Sequence, residues 1–251
     1  MSTQLSTRRN FILYGAAGLG TAIVAACGTK TETSSQSNSN TGHEDDDKKQ
    51  PDAKEVTAVE DLMREHGILR RALLVYGEAA VRLRKNAAEV SSEALQRTAK
   101  LFRTFGEDYH EKKLEETYLF PRIKEKAPGE VAKYVDVLID QHNRGREITD
   151  YIVSATNGAK LGTEAARFSE TLLGFVRMYE HHAAREDTII FPAWKDAVSA
   201  DEYDELNDRF EDIEHEIFGE DGFEDAAKQI SEIEASLNLS DISQFTAPPP
   251  K

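Results

Sequence analysis

His182 and Glu186 stand four residues apart in the stretch 177–194, RMYEHHAAREDTIIFPAW. The apolar residues around them, Phe168, Leu172, Phe175, Tyr179, Ile189 and Ala193, recur at the three- and four-residue spacing of a helix that buries one face. His182 and Glu186 complete that series, so an imidazole and a carboxylate point into an apolar interior, where unpaired charge is expensive. Two arrangements satisfy such a pair. One is a His–Glu hydrogen bond inside the core. The other is a metal ion held by both, with further ligands from other helices.

The other histidines favour the metal. His66, His110 and His142 each lie at or beside the apolar stripe of a separate helix, although histidine is usually not fully buried. Glu115 follows His110 as Glu186 follows His182. The segments HEKKLEETYLFP at 110–121 and HHAAREDTIIFP at 181–192 share the histidine, the acidic pair and the Phe-Pro end, which implies two similar half-sites facing one another. Imidazole with carboxylate suits iron, manganese or zinc. Two carboxylates among four histidines would let two metal ions share bridging oxygens and leave a position for a small ligand.

Four elements must position these groups. The first helix starts near Val59 and carries Leu62, His66, Leu69, Leu73, Tyr76, Ala80 and Leu83; the second starts near Ser92 and carries Leu95, Ala99, Phe102, Phe105 and Tyr109. The third opens near Gly129, runs through Val131, Val135, Leu138, His142, Gly145, Thr149 and Ile152, and ends at Asn157-Gly158. With the fourth they predict an all-α chain whose core, 57–199, is an antiparallel four-helix bundle. Tyr203, Leu206, Phe210, Ile213 and Ile217, a break at 219–222 and a further run to about Leu237 predict one or two helices outside the bundle over 200–240, with a flexible tail at 241–251.

The chain has 251 residues and a formal net charge of −15, so a nucleic acid is not the expected partner. Its single cysteine, Cys27, excludes disulfides, zinc ribbons and CxxC redox chemistry. Arg8 and Arg9 precede an apolar, glycine-broken run that ends in Val24-Ala25-Ala26-Cys27. This resembles a twin-arginine export signal (1–26) ending in a bacterial lipobox. The resemblance implies cleavage before Cys27, lipidation of its thiol, and a membrane anchor on the extracytoplasmic side. Residues 27–56 hold almost nothing apolar and read as a disordered tether.

The two His…Glu…Phe-Pro motifs resemble those of the hemerythrin family, specifically its bacterial cation-binding members, over roughly 59–198. The resemblance implies iron ligands at His66, His110, His142 and His182, bridging carboxylates at Glu115 and Glu186, and two non-haem iron ions that bind dioxygen, nitric oxide or peroxide. The chain departs from the oxygen carriers at Arg146, where they have a further histidine; that ligand is absent unless His181 or His215 supplies it. His110 and Glu115 are five apart, about 140° round an ideal helix. Either Glu111 is the ligand or a π-bulge realigns the pair. Between His181 and His182 the helical phase favours His182.

The expected function is to bind, sense or scavenge such a ligand, or to buffer iron. The alternatives are a di-iron ferroxidase or peroxide-consuming enzyme, and a structural helical adaptor without metal. Ferritin-like sites need Glu-x-x-His on two helices, and only Glu107-Asp108-Tyr109-His110 fits.

Overall fold

The computed structural model describes residues 56–157, 161, 164–219 and 221–250. Arg8, Arg9, Cys27 and the tether up to residue 55 lie outside the described residues. Six long helices follow the predicted apolar runs, and there is no strand among the described residues. They are α1 (Ala58–Asn86), α2 (residues 92–126), α3 (Gly129–Thr156), α4 (residues 165–197), α5 (Ala200–Phe218) and α6 (Gly222–Ser236). Four begin on a side-chain cap. Thr57 accepts from the Glu60 N–H, Ser91 from Ala94, Ser199 from Glu202 and Asp221 from Glu224, so each satisfies a backbone donor that the first turn leaves open. Gly219 ends α5 at φ 88°, a conformation glycine adopts without strain.

α1 packs along α4 and α2 along α3, closing the antiparallel bundle. Its interior holds Leu62, Leu69, Tyr76, Phe102, Leu138, Phe168, Leu172 and Phe175, residues of the predicted stripes. α5 and α6 lie outside the bundle against α1 and α2, yet share its core through Tyr203, Phe210, Ile213, Ile230 and Ile233. α5 is tied to the start of α1, because Asn207 Oδ1 accepts from the Ala58 N–H at 2.7 Å and the Tyr203 hydroxyl from Val59 at 3.1 Å. Trp194 of α4 lies stacked on Phe210 at 5.8 Å and tilted against Tyr203. Beyond α6, Ile242–Phe245 makes a single 3₁₀ turn.

Two of the helices are not regular. α2 widens to a π-helix over Phe102–Leu119 and α4 over Glu186–Ile190, and both widened stretches end at Phe-Pro. The Phe120 N–H bonds the carbonyl of Glu115, and the Phe191 N–H that of Glu186, each five residues back. Pro121 and Pro192 supply the reason: neither has an N–H, and each ring presses on the carbonyl four residues earlier, Thr117 or Thr188. Widening the turn relieves that clash. It also corrects the predicted stripe of α4. Ile190 and Trp194 are buried, whereas Ile189 and Ala193 are only half-buried, because the wide turn moves the inward face on by one residue. No helix among the described residues is long and apolar enough to cross a membrane.

Trp194 joins α4 to α5. Trp194→Ala should therefore lower the unfolding free energy by about 3–5 kcal/mol, measured by urea denaturation, with the helical content of the folded state unchanged.

Candidate metal centre

One imidazole comes from each bundle helix. His66 of α1 and His110 of α2 bring their Nε2 atoms to 3.0 Å; His142 of α3 and His182 of α4 bring theirs to 3.1 Å. All four are at most 3% exposed. Glu115 reaches both pairs, Oε1 lying 3.4 Å from His110 Nε2 and Oε2 3.4 Å from His142 Nε2. Glu186 does the same from the other side, with Oε2 3.5 Å from His66 Nε2 and 3.0 Å from His182 Nε2. All six residues singled out in the sequence thus meet in one buried cluster, and together they make up two candidate metal-ligand groups.

The far nitrogen of every ring is held as well. Nδ1 of His66 meets Asp187 at 2.7 Å, that of His110 meets Glu65 at 2.6 Å, that of His142 meets Glu116 at 2.9 Å, and that of His182 meets Gln141 at 2.9 Å. These partners occupy equivalent places in the two halves. Glu65 and Gln141 immediately precede His66 and His142; Glu116 and Asp187 immediately follow Glu115 and Glu186. Arg70 and Arg146, each one turn after a histidine, then hold Asp187 and Glu116. Phe191 stacks on His66 at 5.2 Å and Phe120 on His142 at 5.5 Å, so the residues before the two prolines wall the site.

This arrangement leaves the centre short of positive charge. A neutral imidazole that donates from Nδ1 carries a lone pair on Nε2, so each pair sets two lone pairs face to face at about 3 Å. The four oxygens of Glu115 and Glu186 are buried and find no hydrogen-bond partner among the described residues. Six carboxylates (Glu65, Glu111, Glu115, Glu116, Glu186 and Asp187) face two guanidiniums, Arg70 and Arg146, a formal excess of four negative charges with the rings neutral. The imidazoles respond to that field. Burial presses the His142 ring down, but Glu111, Glu115 and Glu116 outweigh it and hold its pKa up at about 10. His110 and His66 are raised in the same way, against burial, by Glu115 and Glu65 and by Asp187 and Glu186. Burial would raise Glu116, yet His142 and Arg146 hold it at about 2. Such a donor set takes cations.

The halves differ at three exchanged residues and in the space beside them. Glu111, after His110, has Ala183 as its counterpart after His182. Glu111 is turned aside from the shared carboxylates, accepting the Tyr179 hydroxyl at 2.7 Å and Arg146 at 3.1 Å. The π-helix of α2 therefore aligns Glu115, not Glu111, with His110. Gly145 makes room for this: a Cβ there would stand 2.0 Å from the Tyr179 oxygen, while Leu69 fills the equivalent place on α1. Beside His66, Leu69, Leu73, Tyr179 and Ala183 enclose a cavity of about 10 Å³, space for about one water-sized molecule. Finally, Glu65 stands where the other half has neutral Gln141.

His182 is buried and His181 exposed against Arg185; His215 is half-buried near the end of α5. Neither His181 nor His215 joins a candidate ligand group among the described residues. Asp187, which an unbroken α-helix would turn about 100° away from Glu186, bonds His66. Glu65, Gln141, Glu116, Arg70 and Tyr179 escaped sequence reasoning. The pattern EHGILR at 65–70 and QHNRGR at 141–146, an acid or amide before the histidine and an arginine one turn after it, would have found most of them.

Residues 57–194 match the family described as Hemerythrin HHE cation binding domain. The chain is also 44% identical over 193 residues to an uncharacterized protein of Mycobacterium bovis and to uncharacterized proteins of two strains of Mycobacterium tuberculosis. Each alignment covers 76% of this chain and 74% of the relative. No solved structure matches the chain.

Glu186→Ala should remove most of the metal from the purified protein, read by elemental analysis. Asp187→Ala should keep metal at saturation but weaken its affinity about 10–100-fold, the usual effect of losing the partner that orients a ligand. Equal loss in both variants would show that Asp187 is itself a ligand.

Proposed function

The chain belongs to the hemerythrin HHE cation-binding family, and from that premise we propose that its centre holds two non-haem iron ions and binds a small ligand, dioxygen, nitric oxide or peroxide, as a sensor or scavenger. The observation that carries the proposal is the convergence of four Nε2 atoms in two pairs on two shared, hydrogen-bond-free carboxylates. His66 and His110 would hold one ion, His142 and His182 the other, with Glu115 and Glu186 common to both. The formal excess of four negative charges equals the charge of two divalent cations. Imidazole and carboxylate donors without thiolate suit iron, and they accept manganese or zinc as well. When bound, the ions would supply Lewis acidity and one-electron chemistry toward the ligand.

The protein's own residues set what that ligand is. Glu65, Glu116, Gln141 and Asp187 fix each ring so that Nε2 faces inward, which also keeps the ligating nitrogens unprotonated when metal is present. The cavity beside His66 has space for about one water-sized molecule and an apolar wall of Leu69, Leu73 and Ala183. Arg146 stands where oxygen carriers have another imidazole. A guanidinium cannot ligate a metal, and this one is committed to Glu111 and Glu116. That favours sensing or scavenging over reversible carriage.

The test is elemental analysis of the purified full chain together with its visible spectrum. About two metal ions per chain are expected, iron above manganese and zinc, and a His66→Ala, His142→Ala variant should hold almost none. Metal-free protein that takes up no divalent cation would end the reading.

We also propose export by the twin-arginine route and anchoring through a lipid on Cys27, supported by Arg8-Arg9, the apolar run and the small residues before the cysteine. An Arg8→Lys, Arg9→Lys variant should accumulate inside the cell, and Cys27→Ala should leave the membrane fraction. Unchanged fractionation of both would refute the localisation.

A further inference from the structure

The two arginines that follow the histidines are equivalent in position but not in attachment. Arg146 is held by two carboxylates, Glu116 at 2.5 Å and Glu111 at 3.1 Å, and its side chain is 14% exposed. Among the described residues Arg70 is held by Asp187 alone, and its side chain is 43% exposed. Arg70 also lines the cavity beside His66. Every other residue lining it is at most 6% exposed. Solvent therefore meets the cavity at the Arg70–Asp187 pair, which bridges α1 and α4.

We infer that Arg70 is the gate of the ligand cavity and that its guanidinium selects small anions over neutral molecules of the same size. The inference rests on the reading of the centre as a ligand-binding metal site. Opening requires only the rupture of one ion pair whose guanidinium is partly exposed, so the gate moves easily. The equivalent opening at Arg146 would break two contacts, one to a buried carboxylate, and there Tyr179 and Glu111 fill the space that Ala183 leaves clear on the Arg70 side. The chain as a whole is strongly acidic and repels anions. A positive charge at the mouth is what lets an anion approach despite that field. Asp187 links the gate to the centre, because the same carboxylate holds Arg70 and the Nδ1 of His66. An anion that draws Arg70 outward leaves Asp187 with His66 as its sole partner among these contacts.

The experiment compares wild type with Arg70→Ala, Arg70→Gln and Arg70→Lys in the full chain, with circular dichroism and metal content as controls. On metal-loaded protein, stopped-flow absorption gives association rates for azide, an anion, and nitric oxide, which is neutral. Arg70→Ala should speed nitric oxide binding, and Arg70→Gln should lower the azide-to-nitric-oxide rate ratio about tenfold, while Arg70→Lys keeps the ratio. On chelator-stripped protein, diethyl pyrocarbonate should modify His66 about fivefold faster in Arg70→Ala, the weight of one such ion pair, with exposed His181 unchanged. Unchanged His66 labelling would overturn the gate, and an unchanged rate ratio in Arg70→Gln would overturn the selection of anions. Protein that holds no metal would refute the functional reading instead, and the labelling would still decide the gate.

Discussion

Four imidazoles and the carboxylates of Glu65, Glu111, Glu115 and Glu186 have been taken out of water into a bundle lined by leucine and phenylalanine, and their pairing governs the rest of the structure. A buried charge left alone costs several kcal/mol. The outer ring of the centre meets that demand with protein groups, since every Nδ1 has an acceptor, and Glu116 and Asp187 have arginines. The inner ring does not. Its Nε2 lone pairs and the oxygens of Glu115 and Glu186 face one another, and only protons or cations can make that contact favourable. The helices give up regularity to arrange it. A carboxylate five residues after a histidine comes under that histidine only in the wider π turn, and Pro121 makes α2 widen there.

The features that repeat every few residues were legible in the sequence. The four bundle helices, one or two further helices outside them, the inward stripes of α1 and α3, and the meeting of His66, His110, His142 and His182 follow from apolar period and from the duplicated His…Glu…Phe-Pro segment. The features that depend on a break in period were not. The five-residue spacing left Glu111 and Glu115 as alternatives, because the choice lies in the hydrogen-bond ladder ahead of Pro121 rather than in residue type. The same kind of break before Pro192 moved burial from Ile189 and Ala193 to Ile190 and Trp194, and it brought Asp187 against His66. Side chains that hold a ligand from behind, such as Gln141 or Glu65, look like ordinary helix polarity until the opposite helix is in place.

The duplication is faithful in the ligands and loose around them. Histidines, shared carboxylates, stacking phenylalanines and arginines correspond one to one, whereas Glu65 faces Gln141, Glu111 faces Ala183 and Leu69 faces Gly145. The exchanges redistribute charge and space between the halves. Glu65 adds a negative charge behind His110, and Glu111 adds one beside His142. Glu111 and Tyr179, admitted by Gly145, close the second half, while Ala183 leaves the first half open. A symmetric scaffold thereby acquires one side with a cavity and one side that is filled.

With one imidazole from each helix, a cation held at the centre would clamp the bundle: any cation that binds the folded chain and not the unfolded one adds to stability in proportion to the logarithm of its concentration. Before such binding, the carboxylate field raises the pKa of His142, His110 and His66 against the effect of burial. The bundle also has a source of stability remote from the centre. α5 closes the start of α1 through Asn207 and Tyr203 and stacks Phe210 on Trp194, and α6 adds Ile230 and Ile233 to the same core. These contacts involve no ionisable group of the centre. They hold α1 against α4, and so His66 near Glu186, whether protons or metal ions occupy the inner ring, which is the condition for a preformed site that cations enter without refolding the chain.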